Sequence, residues 1–418
     1  MRIAIIGGGC SGLLVAFHLL RDGDQHSVSI IEPRAELGQG LAYSTTFDDH
    51  LLNVSAEKMS ALPSAPSHFV DWLRARGFPC APQGVFAPRR LFGEYLGSLI
   101  PDQLGHVRAE VVDIHMLETG ASLTLSNSTV LDADKIVLAL GNPVPSRSPW
   151  IGDALRLRTP HERILLIGAG QTAVDATIAL RNQSDRCHIT MLSRSGNLPQ
   201  VHPVVPATFP TPPIAKFERI TSIVRELRAQ VRSAHESGIG WQAVIDSLRP
   251  ISNAVWNRLP LAERRRFHRH LKTYWETHRS RMPPSVHERV ERYRAEGTLE
   301  VIAGRLIEGD AVVRIALRNG GERQIKIDRI LNCTGIHEHY HVNPRPLIAA
   351  LMKQGLATSN DMGIGFRTDE CGALEGPARD VLYTLGPPRR GGLFETIAVP
   401  EIRVQAETLA QHILSSPD

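Results

Sequence analysis

The chain has 418 residues, which at roughly 150 residues per domain leaves room for two or three domains with sizeable cores. Its 42% hydrophobic and 22% charged residues exclude wholesale disorder and fibrous architecture. A surplus of 47 Lys and Arg over 43 Asp and Glu gives a net charge of +4, too small over this length to imply nucleic-acid binding by itself.

Five cysteines, at positions 10, 80, 187, 333 and 371, are odd in number and show neither CxxC nor CxxxxC spacing. That pattern argues against a disulfide framework, a clustered zinc site and a dithiol-type reductase. The apolar stretch from Ile3 to Leu20 is broken by Gly7, Gly8 and Gly9 and preceded only by Arg2, so it does not read as a secretory leader. No other window approaches ~18 uninterrupted apolar residues. The expectation is a cytoplasmic protein without a membrane span.

In chain order, Arg2 to Ile6 is a short apolar run suited to a buried parallel strand, followed by a glycine turn and the helical pattern Leu13 to Leu20. Gly7, Gly9 and Gly12 stand at the GxGxxG spacing of a dinucleotide cradle, with Cys10 and Ser11 inside it. There the phosphates face the helix N-terminus. A second strand, Val28 to Ile31, ends in Glu32, where a partner for a ribose hydroxyl is expected. The pattern returns at Arg163 to Ile167, which runs into Gly168, Gly170, Gln171 and Thr172 and a helix through Leu180. A second cofactor is implied. Its next strand, His188 to Leu192, ends in Ser193 and Arg194. A guanidinium in place of the carboxylate favours a 2′-phosphate, hence NADPH, with NADH still possible because an arginine also stacks on adenine.

Two further strands end at glycine: Lys135 to Leu140 before Gly141, and Arg329 to Asn332 before Cys333, Thr334 and Gly335. From Pro199 to Pro213 there are six prolines in fifteen residues, a semi-rigid connector. Helical spacing of Phe267, Leu271, Tyr274, Trp275 and His278 then points to an inserted helical subdomain. Glu263 to Arg294 holds ten Lys or Arg against four acids. Solvated helix faces, ion pairs or contacts to an anionic ligand account for these better than a nucleic acid does. His337, His339 and His341 alternate, but without acids or cysteines to complete a site no metal is expected. Near the C-terminus Gly386 follows an apolar run, and Thr396, Ile397 and Ala398 precede Pro400 and a closing helix. Amides at that helix start suit the pyrimidine end of a flavin.

Several motifs together resemble a known family. They are Gly38-Gln39-Gly40-Leu41-Ala42-Tyr43, Leu51-Leu52-Asn53-Val54 with Met59 and Ser60, Pro88-Arg89, Phe92-Gly93-Glu94-Tyr95-Leu96, Trp256, Trp275-Glu276 and Glu395-Thr396 with Val399-Pro400. The chain is similar in these to two-dinucleotide FAD/NAD(P)-binding proteins that include flavin-dependent urate hydroxylase and aspartate N-monooxygenase. The FxGxxxH signature of Baeyer–Villiger and microsomal-type enzymes is missing. The resemblance implies an α/β protein with two Rossmann-like dinucleotide-binding domains: residues 1–155 and 330–418 for FAD, and 156–329 for NAD(P)H with a helical insertion at about 214–296. It also implies a monooxygenase that acts through a flavin C4a-hydroperoxide on O2 and a small polar or anionic substrate, an amino-acid amine or a purine-like compound. Gln39, Asn53, Met59, Arg89 and Glu395 are expected around the reacting centre, and Val112 among the cofactor contacts. An NAD(P)H:acceptor oxidoreductase without oxygen insertion shares every cofactor motif with this reading, and a non-enzyme alternative is a redox-sensing binding protein whose Arg-rich helices meet a partner.

Overall fold

The computed structural model describes residues 1–21, 26–80, 84–143, 148–150, 153–335 and 345–415. The chain opens with β1 (Arg2–Ile6), α1 (Cys10–Leu20) and β2 (Ser27–Ile31), then α2 (His68–Ala75), α3 (Arg89–Gly97) and β3 (Gly105–Val107). A three-stranded antiparallel sheet of β4 (Val111–Met116), β5 (Ala121–Leu125) and β6 (Val130–Ala133) leads to β7 (Lys135–Leu138). The opening then repeats as β8 (Arg163–Ile167), α4 (Gln171–Arg181) and β9 (His188–Ser193). Six helices follow: α5 (Ile220–Glu236), α6 (Trp241–Asp246), α7 (Ser252–Arg258), α8 (Leu261–His270), α9 (Lys272–Arg279) and α10 (Pro284–Ala295). The second unit ends with β10 (Leu299–Glu308), β11 (Val312–Leu317), β12 (Glu322–Lys326) and β13 (Arg329–Asn332), and the chain closes with α11 (Pro346–Lys353), β14 (Leu382–Thr384) and α12 (Val399–Ser415).

Five parallel strands form the first sheet in the order β14-β7-β1-β2-β3, with Ile5 opposite Ile30 on one side and Val137 on the other. Alternation along β1 serves two cores. Ile3 and Ile5 pack with residues of α1 and α12, while Ala4 and Ile6 pack with the three-stranded sheet and α11. A strand covered on both faces has to be apolar at every inner position, which is why β1 reads as an unbroken run.

The second sheet has the order β12-β11-β10-β9-β8-β13, parallel from β10 to β13 and antiparallel from β10 to β12. Since β13 pairs along its whole length with β8, this sheet runs to Asn332, and a boundary after residue 329 would cut through a strand. The helical insertion has its own core, in which Ile220, Ile223, Leu248, Trp256 and Phe267 are buried and Phe394 packs from the C-terminal segment. Among the described residues no helix is long and apolar enough to cross a membrane.

Candidate functional site

The first turn is fixed by its own backbone. Gly7 has φ +105°, and a Cβ there would lie 2.5 Å from the Ala139 carbonyl oxygen; one on Gly12 would lie 2.0 Å from that of Gly7. Only glycine lets β1, β7 and α1 approach so closely. Gly9 caps α1 without a side-chain hydrogen bond, and no acid stands in the first turn, so the positive helix end has no internal anion. Glu32 at the end of β2 is 4% exposed and accepts hydrogen bonds from the Gly8 amide (2.9 Å) and from Nε (2.9 Å) and Nη2 (3.1 Å) of Arg34. Burial would raise its pKa, but these hydrogen bonds and the Arg34 charge outweigh burial and hold the carboxyl below the usual range.

The second turn repeats these constraints. Gly168 has φ +118°, and a Cβ there would lie 2.2 Å from the Cys333 carbonyl oxygen, whereas one on Gly170 would meet nothing within 4 Å. Gly170 also caps α4 without a side chain, and again no acid stands in the first turn. Ser193 accepts the Gly196 amide (3.0 Å), and Arg194 is exposed with no hydrogen bond or ion pair to another described residue. An open helix start and a free guanidinium at the end of β9 fit a phosphorylated dinucleotide. The first turn fits FAD by the same helix argument, with the Glu32 carboxylate in place of the arginine after the next strand.

Two adjoining cavities lie between these turns. One, of about 310 Å³, is lined by Gly9, Cys10, Ser11, Gln39, Gly141 and Thr172 among others. Its neighbour, of about 420 Å³, is lined by Asn53, Met59, Trp275, Arg279, Glu395 and Ala398 among others. Ala42, Tyr43, Arg89, Asn142, Gln171 and Ile397 line both and mark the junction. Burial pushes the Cys10 thiol up to about 12, so it is a packed neutral group in the wall of the smaller cavity.

The structure brings most of the expected residues together and gives some of them different work. Asn53, Met59 and Glu395 line the larger cavity, Gln39 the smaller, and Arg89 both. Arg89 starts α3 and pairs through Nη2 with Asp175 Oδ2 of α4 (2.7 Å), with both side chains largely buried; its Nε donates to the Leu51 carbonyl (3.0 Å). It therefore ties the first unit to the second. Thr396 is fully buried and donates its hydroxyl to the Gly386 carbonyl (2.9 Å), so it braces the turn ahead of α12 and does not line either cavity. Val112 stands apart, exposed on β4 of the three-stranded sheet, because the strand beside Glu32 is β3 and ends at Val107. His337, His339 and His341 lie outside the described residues; among those described, no cluster of potential metal ligands occurs.

Long-range partners complete the site. Arg279 Nε donates to Glu395 Oε1 (2.9 Å), both side chains being mostly buried, and Asn253 Oδ1 accepts the amides of Phe394 (2.8 Å) and Glu395 (2.9 Å). Gln171 Nε2 donates to the Ser280 carbonyl (2.9 Å). Two histidines escape the motif reading. His50 is buried; its Nε2 donates to the Asp175 carbonyl (3.1 Å), so Nδ1 accepts from the Thr45 hydroxyl (2.7 Å). His202, in the proline-rich connector, donates from Nε2 to the Asn53 carbonyl (3.0 Å), and burial pulls its pKa down to about 4. The basic run in the insertion is largely paired: Arg266 with Glu263, Arg281 with Asp246, Arg289 with Asp49 and Arg294 with Glu291.

Comparison with known proteins agrees with this geometry. Residues 4–143 match a family described as FAD-NAD(P)-binding. A curated relative, the uncharacterized protein YdhS of Escherichia coli (strain K12), is 23% identical over 249 residues, and the match spans 48% of this chain and 46% of that protein, about half its length. The fold is similar to that of the ornithine N-hydroxylase KtzI of Kutzneria sp. 744 (TM-score 0.66, 15% identity, 99% of this chain and 98% of that one). It is also similar to the bacillithiol disulfide reductase YpdA of Staphylococcus aureus (TM-score 0.59, 14% identity, with the same coverage). The likeness to these flavoproteins covers the whole fold, and residues 4–143 carry the matched FAD-NAD(P)-binding segment.

Proposed function

We propose that the protein is a cytoplasmic NAD(P)H-dependent FAD monooxygenase that hydroxylates a small polar substrate, an amino-acid amine or a purine-like compound. The observation that carries this reading is the junction of the two cavities beside the cofactor turns, the larger of them lined by the Arg279–Glu395 pair. Bound FAD supplies hydride acceptance from the nicotinamide and activation of O2.

The chain's own residues do the rest. The α1 start and Glu32 hold FAD, while the α4 start and Arg194 hold NADPH. Trp256, Phe267, Trp275 and Phe394 wall the larger cavity with aromatic surface and exclude water from it. Arg279 and Glu395 present opposite charges to a polar substrate and fix its orientation through hydrogen bonds. An acceptor reductase of the dithiol type is disfavoured because the sequence holds no CxxC or CxxxxC pair and burial keeps the Cys10 thiol, on the smaller cavity, neutral.

The test is a panel of amino acids, diamines and purines added to purified protein with NADPH. A substrate that stimulates NADPH oxidation and yields hydroxylated product in step with NADPH consumed supports the reading. Stimulation only by quinones or dyes, with no hydroxylated product from any panel member, overturns it.

A further inference from the structure

The helical insertion frames a further, partly open chamber that the reading above leaves unused. Helices α5 to α9 surround a cavity of about 780 Å³, within the roughly 300–1,000 Å³ range of small-molecule sites. Its wall is apolar, with Ile223, Val224, Leu227, Leu248, Val255 and Leu271 among its residues. Trp256, Phe267, Trp275 and Phe394 line both this chamber and the 420 Å³ cavity, so they form a shared aromatic partition.

The mouth has a different character. A recess of about 630 Å³ shares Ile220, Val224, Arg228, Arg232 and Leu271 with the chamber and adds Arg225, Arg266 and His270. Arg225, Arg228 and Arg232 stand at i, i+3 and i+7, hence on one face of α5. All three are exposed, and none has a hydrogen bond or ion pair to another described residue. Glu263 of the neighbouring helix α8 is already occupied, since it accepts both the Ile220 amide (2.9 Å) and Arg266 Nη1 (2.5 Å). Three like charges on one helix face repel each other, and they sit at the entrance to an apolar space that favours hydrocarbon over water. One ligand relieves both conditions if it joins an anionic head to an apolar body.

We infer that this chamber binds a medium-chain fatty carboxylate, with the hydrocarbon inside and the carboxylate at Arg228 and Arg232. The site is separate from the proposed reaction centre and does not depend on the monooxygenase reading.

Isothermal titration of the full-length protein with dodecanoate, dodecanol and dodecyltrimethylammonium, each below its micelle concentration, tests this. Dodecanoate is expected to saturate one site per chain, with dodecanol at least about tenfold weaker and the ammonium compound showing no saturable binding. The exposed double substitution Arg228→Glu/Arg232→Glu is expected to weaken dodecanoate about tenfold or more and to leave both dodecanol binding and the circular dichroism spectrum unchanged. Leu227→Trp, which narrows the chamber, is expected to weaken dodecanoate and dodecanol alike. Absence of saturable dodecanoate binding to the wild type, or equal affinity for the alcohol, overturns the inference. So does sedimentation showing a stable dimer that the double substitution dissociates while dodecanoate fails to bind, because a second copy then covers the chamber.

Discussion

After β1 the chain turns at Gly7 under the Ala139 carbonyl; after β8 it turns at Gly168 under that of Cys333, and both helices that follow start without a capping side chain. What differs is the end of the next strand. Glu32 is buried and hydrogen-bonded to Gly8 and Arg34, whereas Arg194 is exposed and has no partner among the described residues. Backbone sterics thus build the same turn twice, and the two copies differ in the charge that stands beyond the next strand. Phosphate binding needs only amides and a helix start; discrimination needs a charge.

The largest effect expected comes from the turns themselves. Gly7→Val and Gly168→Val each force a side chain onto a carbonyl at positive φ, and both should give protein that fails to accumulate in folded form, read by expression and circular dichroism. Gly9→Val is a sharper probe, because a Cβ there meets nothing closer than 3.5 Å. It should fold yet purify without flavin, and normal yellow protein from this variant would remove the first turn from FAD binding.

Next comes the link between the two units. Asp175→Ala leaves the Arg89 guanidinium buried without its partner and should lower unfolding free energy by about 3–5 kcal/mol in urea melts. Arg89→Met/Asp175→Leu should recover much of that loss, and a double variant as unstable as the single one would argue against the pair as the link.

A smaller effect concerns acid. The folded pKa of His202 is about 4 against an ordinary 6.5, so between these values the unfolded chain binds the extra proton and stability falls as pH drops. Loss of up to roughly 3 kcal/mol over that window is expected. His202→Gln should flatten the dependence of the melting temperature on pH over the same range. The mildest change is Arg194→Ala, which should raise KM for NADPH about 10- to 100-fold and leave KM for NADH almost unaffected. Equal changes for the two coenzymes would mean that Arg194 does not read the 2′-phosphate.

The parts of this architecture legible in the sequence are those where one local pattern suffices. β1 and β8 are covered on both faces and read as apolar runs, and their turns need glycine at fixed spacing. The insertion shows itself by helical periodicity around Phe267 and Trp275. The three-stranded sheet and the β10–β12 extension are harder to read, because their half-exposed strands mix polar and apolar residues without a long run. Partners distant in sequence are harder still. Nothing near Arg89 announces Asp175, and nothing in a proline-rich connector announces that His202 will hold the Asn53 carbonyl. The motif around Glu395 points to the reacting centre, but its Arg279 partner comes from a helix 116 positions earlier.

Asn253 of α7 grips the backbone on both sides of Phe394, and Arg249, ahead of that helix, clamps Glu401 at the start of α12. The insertion is therefore an anchor for the closing segment as well as a wall. Val286, Val290 and Tyr293 of α10 belong to the core of the second unit, so the insertion ends ahead of that helix and not at residue 296. Excising residues 214–279 would unmoor the loop that precedes α12, and the surviving two sheets would lose an aromatic wall of their crevice together with the Arg279 grip on Glu395.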